Sequence, residues 1–417
     1  MNRVLMLALG ILSAIGGFVD IGDLVFNAQA GAIFGYQLLW VLPIGVLGII
    51  VYSEMCGRVS AVSGRTVFDA VRERLGWQLG MVTLGAAATV SVMTLTAEIG
   101  GVALALQLLT GSPYRVLVVV AIVALGLAIW FLSFSALENT FSLMGLTLIV
   151  FVVGALMLGV DWSDFVAGFV PSPPSHAADV GSTDNPWTFG YFVVGLLGAA
   201  MTPYEVYFYS SGAVEDHWTR SELVVNKATA ILGYSLGGLL SAALMVSAAL
   251  LFLPRSITPD TIGSIAMMAQ EPLAQVGLLL AAVGILFATG GAAIETVLSA
   301  AYVTCQSYGW EWGVEEGSRG APRFTILWVL LLVGGGLVTV TGIDPVQLTE
   351  YSVVFSAVAL PLTYVPILLV ANDRRYMANH VNGRLANALG SIYLVVIVVI
   401  AVAAVPLMLV SHSGTAT

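Results

Sequence analysis

Long apolar runs follow one another along nearly the whole 417-residue chain. A run of about 20 apolar residues is long enough for one helix to cross the hydrocarbon core of a bilayer. Glycine, proline and charged residues separate the runs, as expected of connections between helices. The pattern predicts eleven membrane-spanning helices, at residues 5–32, 36–55, 79–109, 114–134, 141–160, 189–210, 228–253, 272–302, 325–341, 351–370 and 385–410.

Polar residues interrupt two of these runs. The first span contains GGFVDIGDLVFNAQAG, with Asp20 and Asp23, and the sixth contains GLLGAAMTPYEVYFYSSG, with Thr202, Pro203 and Glu205. An ionised carboxylate in hydrocarbon costs about 3 kcal/mol on insertion scales, so it indicates a functional site, and a proline removes a backbone donor. Spans one and six open two halves of five spans each, and interruptions at corresponding places indicate a midplane site in an inverted-repeat transporter.

Composition agrees with a protein that crosses the membrane many times. Apolar residues make up 59% of the chain, charged residues 9%, and the mean hydropathy is +0.97, whereas soluble domains carry about 25% charge. We therefore expect one transmembrane domain over residues 1–417, with the lipid bilayer as its surroundings. Only 14 basic residues and a net charge of −10 argue against a nucleic-acid partner. Cys56 and Cys305 are too few for a disulfide framework and are expected to be small buried residues.

Basic residues predict the orientation, because cytoplasmic connections carry an excess of lysine and arginine. With eleven spans and a cytoplasmic N-terminus, only Arg115 and Arg255 fall outside. The C-terminus is then external, and residues 161–187 form an outer loop between spans five and six. The twelve basic residues predicted to lie inside are Arg3, Arg58, Arg65, Arg72, Arg74, Arg220, Lys227, Arg319, Arg323, Arg374, Arg375 and Arg384.

By this assignment no basic residue lies within the body of a span, although several acids do. A buried carboxylate without a base must be protonated, bonded to backbone donors, or compensated by a cation from outside. Several such acids in one protein favour the cation. The sequence gives Glu295 no role of its own, and the full set is Asp20, Asp23, Glu98, Glu205 and Glu295.

Four segments resemble the Nramp family of divalent-metal transporters. FVDIGDLVFNAQAGAIFGYQLLW is similar to the family's D-P-G-N helix and the QAGA-x-x-GY run after it, and the sixth span resembles the G-A-x-x-M-P-H helix. SALENTFSLMG and ALPLTYVPILLVANDRRYM resemble spans five and ten. The resemblance implies an all-α polytopic membrane protein with a LeuT-like (APC-type) fold. Its 5+5 inverted repeats are expected at about residues 5–160 and 188–371, with broken first and sixth helices and an eleventh helix at about 385–410.

The departures from the family pattern concern the expected metal site. The family's aspartate is kept as Asp20, but its asparagine becomes Asp23, its methionine Thr202 and its histidine Tyr204. Family proline becomes Ile21. Ala359 stands where glutamine is common in span ten, and Glu205 where a neutral residue is usual. The resemblance implies metal ligands at Asp20, Asp23, Ala199 (through its carbonyl), Thr202 and Glu205, with Gly17, Asn27, Tyr204 and Glu98 around them.

These replacements all make the expected metal site richer in oxygen ligands. A thioether suits transition metals, whereas carboxylate, hydroxyl and carbonyl oxygens suit Mg²⁺, Ca²⁺ and Mn²⁺, and Mg²⁺ usually keeps several of its waters. The chain therefore resembles the Nramp-related magnesium transporter branch, whose members also carry Mn²⁺. We expect a transporter of Mg²⁺ and Mn²⁺ in the cell membrane, active as a monomer, with no cofactor other than the transported ion.

Proton coupling is not expected. Family members that symport protons are thought to use the aspartate, the sixth-span histidine and acids of the third span. Here Glu98 is the one acid of the third span, and Thr94 stands at the position of its partner. No imidazole lies in a span, because the four histidines, His176, His217, His380 and His412, all fall in loops or the tail.

Each candidate residue also has a structural interpretation. The aspartates could cap a helix break, and Thr202 could bond to a carbonyl of its own helix. Glu205 could line a vestibule, and Glu98 could be either a relay remnant or a packing acid. Asn27 could join helices or orient Asp23, and Tyr204 is expected to replace histidine in packing and hydrogen bonding.

Other functions stay open at this stage. The first alternative is a proton-coupled Mn²⁺/Fe²⁺ transporter of the Nramp type. A symporter of organic solutes with the LeuT fold is another, although Asp20 and Asp23 would repel a carboxylate substrate. A membrane enzyme is disfavoured, since neither HExxH nor GxSxG occurs. A metal sensor is disfavoured because no appended soluble domain is evident.

Overall fold

The structure is a computed structural model that describes residues 18–172 and 186–411. Every regular element in these two ranges is helical. The α-helices are α1 (Ile21–Phe34), α2 (Val41–Ser63), α3 (Val67–Leu75), α4 (Trp77–Thr110), α5 (Tyr114–Phe131), α6 (Phe134–Gly145), α7 (Ile149–Met157), α8 (Trp162–Ala167), α9 (Pro186–Ala200), α10 (Pro203–Glu215), α11 (Leu223–Leu251), α12 (Ile262–Met267), α13 (Gln270–Tyr308), α14 (Gly317–Gly320), α15 (Pro322–Val340), α16 (Pro345–Ala371), α17 (Arg374–Met377) and α18 (Arg384–Ser411).

Ten helices or joined helix pairs in the described ranges are long and apolar enough to cross a membrane. They correspond to predicted spans two to eleven, so the interpretation as a multi-pass membrane protein is confirmed. Span five combines α6 and α7 through a 3₁₀ turn at Leu146–Leu148, and span six combines α9 and α10. Of the first predicted span, residues 5–17 lie outside the described residues, and α1 supplies the second half.

Six spans, numbers two, five, six, seven, eight and ten, have a boundary five or more residues from its predicted position, and three of them show the physical reason. Span two was expected at residues 36–55, but α2 is Val41–Ser63, because Gly35 has φ +61° and begins a turn where a helix was expected. Span five was expected from residue 141, but its helix starts at Phe134, where the Ser133 side chain caps the first turn. Span eight continues beyond residue 302 to Tyr308 and ends at Gly309, whose φ is +66°.

The prediction that no basic residue lies within a span was wrong for Arg58. This residue lies within α2, because the helix continues beyond the predicted end at residue 55. Its guanidinium bonds Glu54 at 2.9 Å, the His380 carbonyl at 2.6 Å and Asn382 Oδ1 at 2.5 Å. The side chain of Glu54, one turn earlier in α2, is 24% exposed and paired with Arg58. Polar residues can continue a helix beyond its apolar run when they form hydrogen bonds with other residues of the protein. A boundary predicted from hydropathy alone therefore placed the end of this span too early.

Segments predicted to be cytoplasmic meet at one end of the bundle, which we call the basic end. Arg74 pairs with Asp373 at 2.7 Å, and Arg72 donates to the Ser307 carbonyl at 3.0 Å. The hydrogen bonds from Arg375 hold the pKa of Asp373 well below its usual range. Three connections that are far apart in sequence are thus on the same side of the bundle, as the charge pattern predicts.

Small residues bring helices close together around the first span. A methyl group on Gly31 would lie 2.0 Å from the Met245 carbonyl of α11, and one on Gly195 would lie 2.0 Å from the Phe26 ring. Such contacts exclude any side chain at these glycines and are typical of membrane helix interfaces. Cys56 and Cys305 are both free and buried, as expected.

Candidate metal site at the two helix breaks

The first helix break is centred on Asp20, which has an extended backbone with φ −96° and ψ −178°. Its Oδ1 accepts a hydrogen bond of 2.8 Å from the Asp23 amide, so Asp20 is the N-cap of α1. A helix begins with backbone donors that lack partners, and an aspartate satisfies one of them while its charge matches the helix dipole. The capping interpretation of Asp20 therefore describes its geometry, and its second oxygen points to another helix.

Tyr204 supplies the partner of that second oxygen. Its hydroxyl donates to Asp20 Oδ2 at 3.0 Å, and its carbonyl accepts a hydrogen bond of 2.9 Å from Ser299 Oγ of α13. The tyrosine that replaces the family's histidine thus joins the sixth span to the first, as the sequence suggested. Phenol is a donor here and does not ionise near neutral pH.

Asp23 is bonded to two further side chains. Asn27 Nδ2 donates to Oδ1 at 2.8 Å, and Ser241 Oγ of α11 donates to Oδ2 at 2.5 Å. Asn27 also donates to the Asp23 carbonyl at 2.8 Å. Asp20 and Asp23 are only 3% and 2% exposed. From residues 18–172 and 186–411, each carboxylate oxygen accepts one bond and retains a further lone pair that a cation could use.

Glu98 reaches the same break from α4. Its Oε1 accepts a hydrogen bond of 3.0 Å from the amide of Ile21, the first residue of α1. The side chain is completely buried, and Oε2 accepts no hydrogen bond from the part of the chain that the structure describes. The structure therefore places Glu98 beside Asp20 as a partner of the helix backbone, a role that periodicity could not reveal.

The second break divides the sixth span. Helix α9 ends at Ala200, Thr202 is extended with ψ 137°, and Pro203 is the first residue of α10. Proline is well suited to this position because the first residues of a helix need no amide partner. The last carbonyls of α9, including that of Ala199, have no partner within the helix. The predicted break is therefore present.

The side chains of the second break are less fully bonded than those of the first. Thr202 does not cap α10, and its hydroxyl makes a contact of 3.4 Å with Glu205 Oε2. Glu205 Oε1 accepts no hydrogen bond within 3.5 Å from the described residues, although the Tyr234 hydroxyl lies nearby. Thr202 and Glu205 are each only 4% exposed. A buried polar atom without a partner marks a place where an ion or a water can bind.

The two breaks face each other across Gly22. A methyl group on Gly22 would lie 3.1 Å from Asp20 Oδ1, 3.8 Å from Ala199 Cβ and 3.0 Å from Val353 of α16. Glycine at this position leaves room for the unwound segments of both spans. The structure thus brings together the predicted residues of spans one and six, whereas predicted Gly17 lies outside the described residues.

The thioether nearest in sequence points elsewhere. Met201 precedes Thr202, yet its sulfur lies against α2, 2.6 Å from where a methyl group on Gly48 would stand. Its carbonyl accepts a hydrogen bond of 3.2 Å from Tyr364. The side-chain and carbonyl atoms around the breaks that could bind a metal ion are accordingly oxygen atoms.

The carboxylates do not form a compact cage. In the described ranges no group of three or more His, Cys, Asp or Glu side chains lies close enough together to hold a metal ion. An ion between the breaks would therefore bind through carbonyls, hydroxyls and retained waters together with one or two carboxylates, as Mg²⁺ commonly does.

Sequence reasoning missed two hydroxyls of this region, Ser241 and Ser299. Each lies in a span rich in glycine, alanine and serine, where any of several serines could equally face a neighbouring helix. The only available signal was a polar residue within an apolar run, and it does not choose between them.

Comparisons with known proteins agree with this architecture. A family described as natural resistance-associated macrophage protein-like, Nramp, matches residues 10–406. The divalent metal cation transporter MntH of Deinococcus radiodurans is 26% identical over 397 residues, covering 91% of this chain and 85% of the relative. MntH of Latilactobacillus sakei is 26% identical over 392 residues, covering 89% and 82%. These relatives are named as transporters and not as enzymes.

Solved structures show the fold. The Eremococcus coleocola manganese transporter superimposes with a TM-score of 0.75 at 18% identity, covering 99% of this chain and 88% of its own. The nucleobase-cation-symport-1 transporter Mhp1 superimposes with a TM-score of 0.60 at 16% identity, covering 97% and 91%. The predicted LeuT-like fold is confirmed. The chain belongs to the Nramp family.

Proposed function

We propose that the chain transports divalent metal cations, with Mg²⁺ and Mn²⁺ as substrates, by alternating access around the two helix breaks. The relatives named as divalent metal cation transporters support the general activity. The proposed ligands are Asp20, Asp23, the carbonyl of Ala199, Thr202 and Glu205, of which one or two carboxylates contact the ion directly and the rest bind through its retained waters. The choice of ion rests on one observation about the proposed ligand atoms. They are all oxygen atoms, because the sulfur of Met201 packs against Gly48 and not against the breaks.

The geometry favours an ion that keeps part of its water shell. Asp20 and Asp23 already accept bonds from Tyr204, Ser241 and Asn27, so they can add an ion or its waters without losing those partners. A hydrated ion accepts fewer direct ligands, and the dispersed carboxylates suit it better than a bare transition metal. The expected net charge at the site is still negative, which attracts cations and excludes carboxylate solutes.

We further propose that transport is driven by the membrane potential and the ion gradient, without proton symport. Tyr204 occupies the histidine position and donates to Asp20, so the site lacks the one side chain that ordinarily titrates near neutral pH. The proton-coupled alternative depends on Glu98, whose carboxyl group lies at the same break with one oxygen that no described residue bonds.

Flux measurements in proteoliposomes test the proposal. The purified protein is reconstituted, a fixed potential is set with a potassium gradient, and influx of Mg²⁺, Mn²⁺ and Ca²⁺ is recorded with a metal-sensitive dye inside the vesicles. We expect saturable Mg²⁺ and Mn²⁺ influx that Asp20→Ala and Asp23→Ala both abolish. Glu271→Gln is the matched control, because Glu271 is an exposed acid paired with Arg255.

A second dye inside the vesicles reports pH. We expect no acidification during metal entry. Acidification that requires metal would replace the uncoupled mechanism with the proton-coupled one, and unchanged influx in both aspartate variants would refute the site. Uptake of a radiolabelled amino acid that competes with Mg²⁺ would instead favour an organic-solute symporter.

A further inference from the structure

A cleft lies at the basic end of the bundle, between α2, α11 and α18. It has a volume of about 470 Å³, and ligand pockets of proteins commonly have roughly 300–1,000 Å³. Among the described residues that line the cleft, none belongs to either helix break. The cleft is therefore separate from the candidate metal site.

Helix α2 forms the floor of the cleft, and α11 and α18 form its sides. Met55 of α2 is buried, whereas Ile231 of α11 and Leu385 of α18 are 40% and 74% exposed. Exposed apolar side chains on a membrane bundle mark surface that contacts lipid. The cleft is thus accessible from the surrounding bilayer.

The half of the cleft farther from the basic end is apolar. Val51 lies in it, and Leu47, one turn earlier on the same face of α2, is 53% exposed. Ile231 of α11 and Leu389 of α18 line the same cleft. An apolar stripe therefore continues from the cleft along α2, as an acyl chain requires.

The half nearer to the basic end carries charged and polar groups. Glu54 and Arg58 of α2 are paired there at 2.9 Å. The guanidinium also donates to the His380 carbonyl and to Asn382 Oδ1, so the described residues use four of its five N–H donors. The pair is neutral overall and retains one donor.

Lys227 of α11 adds a positive charge to this half. It is exposed, lies one turn before Ile231, and makes no hydrogen bond or ion pair with any residue in 18–172 and 186–411. The stem of a lysine can lie along apolar surface while its ammonium group reaches the membrane interface. The cleft therefore combines an apolar groove with a cation that lacks a partner in the described part of the chain.

We propose that this cleft binds one anionic phospholipid of the predicted cytoplasmic leaflet, with its phosphate at Lys227 and an acyl chain along α2. A negatively charged headgroup compensates the lysine, and the hydrocarbon covers Val51 and Ile231. Basic pockets between membrane helices on the cytoplasmic side are known to bind anionic headgroups. The proposal goes beyond the proposed function, because it holds whichever ion binds at the helix breaks.

A lipid in the cleft would contact three helices that are far apart in sequence. The residue before Lys227, Asn226, already donates to the Glu54 carbonyl at 2.9 Å and accepts a hydrogen bond of 2.9 Å from Tyr209 of α10. The lipid would add contacts on the outer side of this junction. We therefore expect it to raise the melting temperature of the protein, since a ligand that binds only the folded state stabilises it.

Binding is measured on the full-length protein in detergent, by native mass spectrometry with added phosphatidylglycerol, which is anionic, or phosphatidylcholine, which is zwitterionic. We expect the wild type to bind phosphatidylglycerol more tightly and to melt at a higher temperature with it. In Lys227→Gln the dissociation constant for phosphatidylglycerol should rise about fivefold, which corresponds to about 1 kcal/mol per basic residue at a membrane surface. Lys227→Arg should keep the wild-type affinity.

Two further variants separate the cleft from general surface charge. Arg220→Gln is the matched control, because Arg220 is an exposed base just before α11 that does not line the cleft, and it should keep the wild-type affinity. Ala386→Trp adds a bulky side chain inside the cleft and leaves every charge in place. It should weaken phosphatidylglycerol binding at least as much as Lys227→Gln, which tests the site independently of whether Ala386→Trp folds.

Three outcomes would overturn the inference. The first is equal affinity of the wild type for the two lipids. The second is an equal loss of affinity in Lys227→Gln and Arg220→Gln, because binding would then depend on surface charge in general. The third is stabilisation by inorganic phosphate equal to that by phosphatidylglycerol, because the site would then bind a free anion and not a lipid. None of these results concerns metal influx, so failure of this inference is distinguishable from failure of the proposed function.

Discussion

Acids in the middle of the bundle and acids at its basic end are bonded in different ways. At the basic end, Glu54 is paired with Arg58, Glu73 with Arg65, and Asp373 with Arg74 and Arg375. In the middle, and within residues 18–172 and 186–411, Asp20 and Asp23 accept bonds only from neutral donors, and Glu295 accepts none.

Under the proposed function, the difference separates structural acids from acids that bind the transported ion. An arginine at the basic end neutralises its partner and fixes a loop, so the pair is complete within the chain. Neutral donors in the middle hold a carboxylate in position without cancelling its charge. A cation that enters from water can therefore complete the middle of the bundle, and it has nothing to add at the basic end.

The largest effect is expected at Asp20. Asp20→Asn keeps an N-cap acceptor but removes the charge, whereas Asp20→Ala removes both. We expect metal influx to fall by more than about 100-fold in both variants, beyond the range typical of outer-shell partners. Only the alanine variant should also lose about 1 kcal/mol of stability through the lost cap. Flux and thermal unfolding are measured on the same preparations.

A rate above half of the wild-type value in Asp20→Asn would contradict this prediction. It would show that Asp20 acts as a cap alone and that its charge, like the charges of the basic-end acids, is not needed for transport.

A smaller change in ion preference is expected at Thr202. Replacing it with methionine adds a soft ligand at the second break, so the ratio of Mn²⁺ to Mg²⁺ influx should rise by about tenfold. Met201→Leu is the matched control, because the sulfur of Met201 already packs against Gly48 and should not affect selectivity. A shift in the control as large as that in Thr202→Met would place the ion nearer to Met201.

Removing one neutral donor should have a moderate effect. Ser241→Ala leaves Asp23 Oδ2 without its bond of 2.5 Å, and we expect Mn²⁺ affinity to fall by up to about tenfold. Ser247→Ala is the control on the same helix, since Ser247 bonds the Phe151 carbonyl at 3.4 Å, away from the site. Equal affinities in the two variants would show that Ser241 does not orient Asp23 for the ion.

The smallest effect is expected at the basic end. Asp373→Asn should cost less than about 1 kcal/mol, as partly exposed ion pairs usually do, and should leave transport unchanged. Because folding lowers the pKa of Asp373, its stabilisation is complete above the unfolded value of about 3.9 and is lost as pH falls through the lower folded value. The difference in melting temperature between wild type and variant should therefore be constant from about pH 7 to 5 and decrease only in strong acid. A difference in melting temperature that changed near pH 6 would contradict this prediction.

Much of the fold could be predicted because a helix that crosses a bilayer needs about 20 mostly apolar residues. Spans two to eleven follow from apolar length, and both breaks follow from polar residues and a proline where apolar residues were expected. The bounds of α2 could not be predicted, since Arg58 extends that helix through bonds to residues more than 300 positions away.

The candidate site was less predictable than the fold. Asp20, Asp23 and Tyr204 were found because their types depart from the surrounding sequence or from the family pattern. Their partners Ser241 and Ser299 are distant in the chain, and nothing local distinguishes them from other serines. The direction of the Met201 side chain depends on the absence of a side chain at Gly48, which is a property of two helices together.

The close approach of Gly31 to the Met245 carbonyl restricts how the protein can move. Together with the bond from Ser241 to Asp23, it holds α1 against α11 at two points along their contact. We therefore expect backbone rotation in the sixth span to occur at the two residues between α9 and α10. These residues lie beside the proposed ligands Ala199 and Glu205, so an ion that binds there would also set the angle between α9 and α10.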